Sequence, residues 1–260
     1  LRLVWGGGVT EIDHLAHPFG TGCVVERPAF EDWLLEQVRG EGARVVENFR
    51  LAGLSRQDDR WLATSPRRHL SAEYIVDATG RAAAVARRLG ARRYRCDRLL
   101  AVGARLLGGS PDRCLTVVSS ANGWWYTLAL PNGKRTVVYL TDADLLGRMG
   151  QAATWWGEAL ATPVLADLVQ GCQAPDHLLT STAQTSFLHP CQGPGWRAVG
   201  DAVASFDPLS ARGLSHGLSS RSDVDPSSYL RSWWHAYAGE PRWPQSPFWQ
   251  RRLGLAKCSG

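Results

Sequence analysis

The chain has 260 residues, 44% of them apolar, which is enough for one large domain or two small ones with a real core. Its formal charge of +5 rests on arginine, because Lys134 and Lys257 are the only lysines among 29 basic residues. No apolar run reaches the roughly 18 residues a membrane-spanning helix needs, so no membrane partner is expected.

The start, Leu1-Arg2-Leu3-Val4-Trp5-Gly6, lacks an initiator Met and the charged-then-apolar order of a signal peptide. It reads as a chain joined in mid-fold. Residues 1–26 read as an irregular or extended lead-in broken by Gly6-Gly7-Gly8 and Gly20-Thr21-Gly22. Pro28 then opens a helix, with Glu31 and Asp32 in its first turn and Phe30, Trp33, Leu34 and Val38 on one apolar face. Gly40 and Gly42 close it. Ala43–Glu47, Phe49–Arg56 and Arg60–Thr64 read as short strands, the last two joined at Gln57-Asp58-Asp59. A further strand, Tyr74-Ile75-Val76-Asp77, leads through Ala78-Thr79-Gly80-Arg81 into a helix over Ala82–Leu89.

The cluster Arg87, Arg88, Arg92, Arg93, Arg95 and Arg98 comes with no nucleic-acid module. It reads as solvated surface, and no nucleic-acid partner is expected. From Leu99 the texture is β. Leu99–Leu107, Cys114–Ser119, Trp124–Leu130 and Thr136–Leu140 are separated by Gly- and Asn-rich turns, which argues an antiparallel sheet. Ala152–Leu160 and Pro163–Val169 read as helices, Leu178–Ser186 and Trp196–Gly200 as strands, and Ser227–Tyr237 as a helix. Cys23, Cys96, Cys114, Cys172, Cys191 and Cys258 form no C-x-x-C pair, so free thiols in a reducing cytoplasm are expected and no metal site.

The most informative stretch is Gly200-Asp201-Ala202-Val203-Ala204-Ser205-Phe206-Asp207-Pro208-Leu209-Ser210-Ala211-Arg212-Gly213-Leu214. An apolar strand runs into Gly-Asp, then an Asp-Pro turn, then a Gly-containing helix start. That order sets a carboxylate at a strand end and free backbone N–H groups at a helix mouth, which suits a ligand with sugar hydroxyls and a ring that becomes anionic. The segment resembles the Gly-Asp signature of FAD-dependent monooxygenases and flavin-dependent halogenases. Arg27-Pro28-Ala29-Phe30-Glu31 and Asp77-Ala78-Thr79-Gly80-Arg81 resemble two further segments of that family, in the family's order.

The resemblance implies an α/β (α+β) fold of the glutathione-reductase-like FAD-binding type, with an inserted antiparallel substrate-type sheet. It implies FAD-binding parts over 1–90 and 193–220, the inserted sheet over 91–192 and a helical tail over 221–260. It implies FAD as cofactor, with Asp201 on the ribityl chain and Pro208, Leu209, Gly213 and Leu214 at the pyrimidine edge. Arg27, Asp77, Thr79, Gly80, Arg81 and Gly200 complete the expected cofactor set. The implied activity is oxidation of a small aromatic or hydrophobic molecule by a C4a-(hydro)peroxyflavin, with O2 and either NAD(P)H or a separate flavin reductase as partners. Trp124, Trp125 and Tyr126 are candidates for substrate contact, Trp124 and Tyr126 on one face of their strand and Trp125 on the other. No catalytic acid or base stands out. The run Trp-Trp-Tyr-Thr-Leu-Ala-Leu-Pro departs from the Trp-x-Trp-x-Ile-Pro signature of tryptophan halogenases, which disfavours halogenation.

The family's first strand–GxGxxG–helix unit is not in this sequence, so the chain is expected to be N-terminally truncated relative to it. Gly193-Pro194-Gly195-Trp196-Arg197-Ala198 matches the glycine spacing but precedes a strand instead of following one. A non-catalytic remnant of such a flavoprotein is therefore an alternative. Gly213-Leu214-Ser215-His216-Gly217 spells the G-x-S-x-G elbow of serine hydrolases. No strand leads directly into Ser215, and Asp223, Asp225, His235 and Glu240 crowd too closely to supply the remaining partners.

Overall fold

The computed structural model describes residues 1–13, 22–219 and 242–257, with Tyr229, Tyr237 and Glu240. Gly20, Thr21, Asp223, Asp225, His235, Cys258 and most of the helix expected over Ser227–Tyr237 lie outside the described residues.

In chain order the strands and helices are β1 (Arg2–Trp5), β2 (Gly8–Glu11), α1 (Arg27–Gly40), β3 (Gly53–Gln57), β4 (Arg60–Thr64), β5 (His69–Ala72), β6 (Ile75–Asp77), α2 (Ala84–Arg88), β7 (Arg92–Arg95) and β8 (Leu99–Leu107). There follow β9 (Thr116–Ser120), β10 (Gly123–Ala129), β11 (Lys134–Asp142), α3 (Ala152–Ala161), α4 (Pro163–Val169), β12 (Leu179–Thr182), β13 (Ser186–His189), β14 (Gln192–Gly193), β15 (Trp196–Ala198), β16 (Ala204–Ser205), α5 (Gly213–Ser219) and α6 (Pro247–Lys257). The chain divides into two compact units, one of Leu1–Trp33, Arg98–Ala183 and Ser227–Gly260, the other of Leu34–Asp97 and Gln184–Pro226. Among the described residues, no helix is long and apolar enough to cross a membrane.

The first unit is built on a seven-stranded sheet in the order β12-β8-β11-β10-β9-β1-β2. Short turns make its central strands neighbours: Ala121-Asn122 joins β9 to β10, and Pro131-Asn132-Gly133 lies in the loop to β11. Gly103 of β8 has no substitute, because a Cβ there would stand 2.4 Å from the carbonyl oxygen of Val137 on the next strand. The lead-in expected over residues 1–26 contains a hairpin, and β1 adds to the sheet parallel to β9, Leu3 beside Val117.

One face of this sheet is closed by α3 and α4, over a core that includes Val102, Val118, Trp125, Tyr139, Trp155 and Leu165. Trp155 is fully buried and its indole N–H donates to the carbonyl of Val102 at 3.2 Å, so its polar atom is satisfied as its ring is dried. Truncating such a side chain costs about 3–5 kcal/mol.

The last helix is fastened to the same unit by charge. Arg252 is buried, donates to both carboxylate oxygens of Asp142, and lies 3.5 Å from the ring centre of Phe248. Arg251 reaches Asp142 and Asp144. A second clasp surrounds Glu240. Its carboxylate accepts from the backbone N–H of Gly6 at 2.8 Å, from Ser119 Oγ at 2.5 Å and from Arg242.

The second unit holds three small sheets, β16-β13-β7, β14-β15-β6 and β3-β4-β5. Several expected elements are shorter here. Ala43–Glu47 forms no strand, because no described strand offers its backbone a ladder, and the turn at Asn48 (φ 58°) delays β3 to Gly53. The helix expected over Ala82–Leu89 is interrupted at Ala83, which is left-handed (φ 42°) and separates a 3₁₀ turn over Gly80–Ala82 from α2. The strand expected over Leu178–Ser186 is two, β12 pairing with β8 and β13 with β7 and β16.

Candidate functional site

The site grows from a pair of parallel strands in the second unit. β15 lies parallel to β6, with Trp196 opposite Ile75 and Ala198 opposite Asp77, so both strands end at the same edge. The N–H of Val199 donates to the carbonyl of Asp77 at 2.9 Å and holds the two ends in step. The hairpin into β15 turns on Pro194-Gly195, where proline presets the first turn position and Gly195 (φ 73°) supplies the left-handed second one. This settles the role of Gly193–Ala198: its glycines make a turn before a strand.

Each strand end carries an aspartate in a different state. Asp77 is fully buried. One of its oxygens accepts from the N–H and the hydroxyl of Thr79 at 2.9 and 2.6 Å; the other accepts from the N–H groups of Val85 and Ala86 at 3.0 and 2.8 Å. Its carboxylate thus shapes the Ala78–Arg81 turn and satisfies N–H groups of the first turn of α2. Gly80 takes φ 65° within that turn.

Asp201 follows Gly200 (φ 57°) in a 3₁₀ turn over Gly200–Ala202. Its side chain is 42% exposed, and its nearest charge is Arg81, whose Nε stands 3.6 Å from Oδ2. Among the described residues its carboxylate accepts no hydrogen bond. Arg81 is itself held by donation to the carbonyl of Gln184 at 2.8 Å.

Behind the turn lies Arg93, which donates to the carbonyls of Asp201 and Ala202 at 3.1 and 2.7 Å and to Ser186 Oγ. Burial, and next the nearby charge of Arg81, push its guanidinium below the usual arginine range. By sequence this residue falls in the arginine cluster expected to be solvated surface; here it is half-buried. The available signal was alternation along Arg92–Arg95, which sends Arg93 to the opposite face from Arg92 and Tyr94.

The Asp-Pro turn is capped as its composition suggests. The carboxylate of Asp207 accepts from the N–H of Leu209 at 2.9 Å, over a 3₁₀ turn of Pro208–Ser210. α5 follows and packs on the Gly200–Ala202 turn. His216 pins it there: the imidazole is buried, its Nε2 lies 3.2 Å from the carbonyl oxygen of Gly200, and it stands edge-on to Phe206 at 5.0 Å. Gly213 and Leu214 are exposed at the start of the helix. Ser215 lies within the helix and its hydroxyl donates to the carbonyl of Arg212 at 3.0 Å, so it is no strand-end nucleophile.

The structure therefore brings together Asp77, Thr79, Gly80, Arg81, Gly200 and Asp201, with Pro208, Leu209, Gly213 and Leu214 on the segment that α5 continues. The other expected residues belong to the first unit. Arg27 is exposed and pairs with Glu31 at 2.6 Å. Trp125 is core, its ring centre 4.7 Å from Tyr139 and 5.4 Å from Trp155. Trp124 and Tyr126 contact each other at 6.2 Å on the opposite face, and the buried indole N–H of Trp124 has no acceptor among the described residues. No cluster of metal-ligating side chains is present among the described residues. Burial pushes the Cys96 thiol up to about 11, which removes it as a nucleophile.

No family model matches the sequence. The chain is 27% identical, over 96% of its own length and 76% of the relative's, to LodB of Marinomonas mediterranea, described as an FAD-dependent oxidoreductase. Its fold matches the flavin-dependent halogenase CmlS with a TM-score of 0.78 at 18% identity, over 96% of this chain and 54% of that one. It matches the peptidyl tryptophan dihydroxylase QhpG, essential for tryptophylquinone cofactor biogenesis, with a TM-score of 0.75 at 21% identity, over 96% of this chain and 62% of that one. The chain thus spans roughly half to two thirds of these solved structures. The α/β fold with its antiparallel sheet is theirs, and the homologues of this chain are FAD-dependent oxidoreductases and flavin-dependent halogenases, enzymes that point to FAD as the cofactor.

Proposed function

We propose that this chain forms the flavin-holding and substrate-sheet portion of an FAD-dependent oxygenase acting on an aromatic substrate. The observation that carries this reading is the open carboxylate of Asp201 at the end of β15, beside the glycine turn that ends β6. Ligands of open α/β sheets bind outside the carboxyl ends of the strands, and this edge presents an unused acceptor with left-handed glycines at Gly80 and Gly200.

The residues fit the ribityl and ring portion of FAD. Asp201 would accept from ribityl hydroxyls. The turn of Asp77, Thr79, Gly80 and Arg81 would form the adjoining wall, and Pro208, Leu209, Gly213 and Leu214 would face the pyrimidine edge. The part assigned to Arg27 rests on its motif alone. For the pyrophosphate, the described residues contain no strand–GxGxxG–helix unit, so that contact is not supplied by them. FAD supplies the redox and oxygen chemistry when bound; this chain orients the cofactor and keeps water from it. Tyr126 would meet an aromatic substrate, with Trp124 buried beside it on the same face of β10. NAD(P)H or a separate reductase as electron source, O2 as co-substrate and a cytoplasmic setting belong to the same proposal.

A second substrate reading is a tryptophan within a polypeptide, favoured by the likeness to QhpG. The test uses the protein expressed with all of its natural coding sequence, titrated with FAD and supplied with a reductant and O2. Free aromatic compounds and a tryptophan-containing polypeptide are offered in turn. Product mass separates oxygen insertion from halide incorporation. Failure to bind FAD, or binding unchanged by Asp201→Ala, would refute the proposed site.

A further inference from the structure

Arg81 and Arg93 belong to one closed polar circuit around Asp201. Arg93 donates to Ser186 Oγ at 2.9 Å, and Ser186 Oγ lies 2.7 Å from Ser205 Oγ across the β13–β16 pair. Ser205 donates to the carbonyl of Gln184 at 3.0 Å, the same carbonyl that accepts from Arg81 at 2.8 Å. The protons have one consistent order: Ser205 gives its own to Gln184, so Ser186 donates to Ser205 and accepts from Arg93. The circuit closes on Asp201, whose carbonyl accepts from Arg93 at 3.1 Å and whose carboxylate lies 3.6 Å from Arg81 Nε.

Nothing in this circuit neutralises Arg93. Among the described residues it makes no ion pair; its donors go to two carbonyls and a hydroxyl, and its Nε is buried without an acceptor. Ser186 and Ser205 are buried, so water screens the charge poorly. A guanidinium keeps its proton in such a place. The charges acting on it are those of Arg81, Asp201, Arg95 and Asp77, so this region carries three cations against two carboxylates. A neutral donor such as glutamine would satisfy a backbone carbonyl, so the hydrogen bonds alone do not call for a cation.

We propose that Arg93 is a positioning residue for the bound flavin: with Arg81 it holds Asp201 between two cations, and their surplus positive charge favours the reduced cofactor over the oxidised one. The inference rests on the flavin reading of this strand edge. Reduction adds two electrons and one proton, a hydride in sum, from NAD(P)H or a separate reductase, and leaves the flavin ring negatively charged. Charge placed near that ring is one of the levers a protein has on its potential. Asp201 alone would oppose the change, because a carboxylate repels the developing charge. Arg81 at its side chain and Arg93 at its carbonyl reverse the sign, so one acidic residue can hold ribityl hydroxyls without disfavouring reduction.

The test is the midpoint potential of FAD bound to the protein expressed with all of its natural coding sequence, read by equilibrium with a reference dye. Arg93→Gln keeps a donor for the carbonyls and removes the charge. Its ratio of reduced to oxidised FAD affinity falls about tenfold, a shift of about 30 mV to more negative potential for a two-electron couple. Arg93→Lys keeps the charge and stays within about threefold of wild type, whatever it does to thermal unfolding. Arg81→Gln, at a partly exposed side chain, lowers the ratio in the same direction and reads the charge effect even where Arg93→Gln does not fold. A ratio unchanged in either folded glutamine variant overturns the proposal, as does one lowered as far by lysine as by glutamine at position 93. FAD bound with unchanged potential leaves the flavin reading standing, whereas a wild type that binds no FAD removes both.

Discussion

Asp77 and Asp201 sit at the ends of adjacent parallel strands, each beside a left-handed glycine, Gly80 after the first and Gly200 before the second, and yet do opposite work. Asp77 is sealed and accepts hydrogen bonds from Thr79, Val85 and Ala86; Asp201 is partly open, and among the described residues Arg81 is its one ion-pair partner, at 3.6 Å. The difference follows from what comes next in the chain. After Asp77 the left-handed Ala83 turns α2 back so that its first N–H groups aim at the carboxylate. After Asp201 the turn is fastened from behind, through its carbonyl to Arg93, and at Gly200 through His216, so the side chain is not needed for folding. A carboxylate whose lone pairs are spent builds the fold; one whose lone pairs are free can hold a ligand.

The sharpest way to break this comparison is Asp77→Ala. It leaves the buried N–H groups of Val85 and Ala86 without an acceptor, each costing about 1–3 kcal/mol. The variant should lose about 3–5 kcal/mol of stability, read by urea unfolding. A loss below about 1 kcal/mol would show that the turn stands without its carboxylate.

Glu240 in the first unit extends the comparison to pH. Burial alone would raise its carboxyl, but hydrogen bonds from Arg242, Ser119 and Gly6 outweigh it and hold the group at about 2. A folded value below the unfolded one makes the stabilisation complete above about pH 4.5 and lost as pH falls toward 2. The expected contribution is about 2–3 kcal/mol. Glu240→Gln should flatten that part of the stability–pH curve, and an unchanged slope between pH 5 and about pH 2 would refute the clasp.

Asp201→Ala tests the open carboxylate. FAD affinity should fall about 10- to 100-fold, the cost of one charge-assisted hydrogen bond, while stability changes by under about 0.5 kcal/mol. The reverse pattern, stability lost with FAD affinity kept, would exchange the roles of the two aspartates.

Much of this contrast was legible in the sequence. Gly200–Leu214 announced a strand, a turn and a helix mouth, and the capping by Asp207 and the exposed helix start at Gly213 follow from local chemistry. Asp77-Ala78-Thr79-Gly80-Arg81 announced a turn at a strand end, but nothing local said that its aspartate would be consumed by residues 85 and 86. That depends on the left-handed Ala83, a conformation for which alanine gives no signal. Arg93 was hidden for a different reason: alternation along the strand sets it apart from Arg92 and Tyr94, but which face is covered depends on the distant Gly200–Ala202 turn that its guanidinium reaches. The strand expected at Ala43–Glu47 failed because strand propensity without a neighbour leaves backbone groups unpaired.

The smallest effect is expected at Ser215, which separates a site built on an open carboxylate from one built on a hydroxyl. A serine hydrolase needs its nucleophile on a tight strand-to-helix elbow with a histidine in reach. Here Ser215 lies inside α5 and its hydroxyl donates to Arg212 within the same turn, while the neighbouring His216 points to Gly200 and Phe206. Removing that hydroxyl costs one exposed local hydrogen bond, which is worth under about 0.5 kcal/mol at the surface. Ser215→Ala should therefore leave both urea unfolding and FAD affinity at wild-type values. Cleavage of activated esters by the wild type, abolished in this variant, would instead make Ser215 the reactive centre and reduce Asp201 to a surface carboxylate beside Arg81.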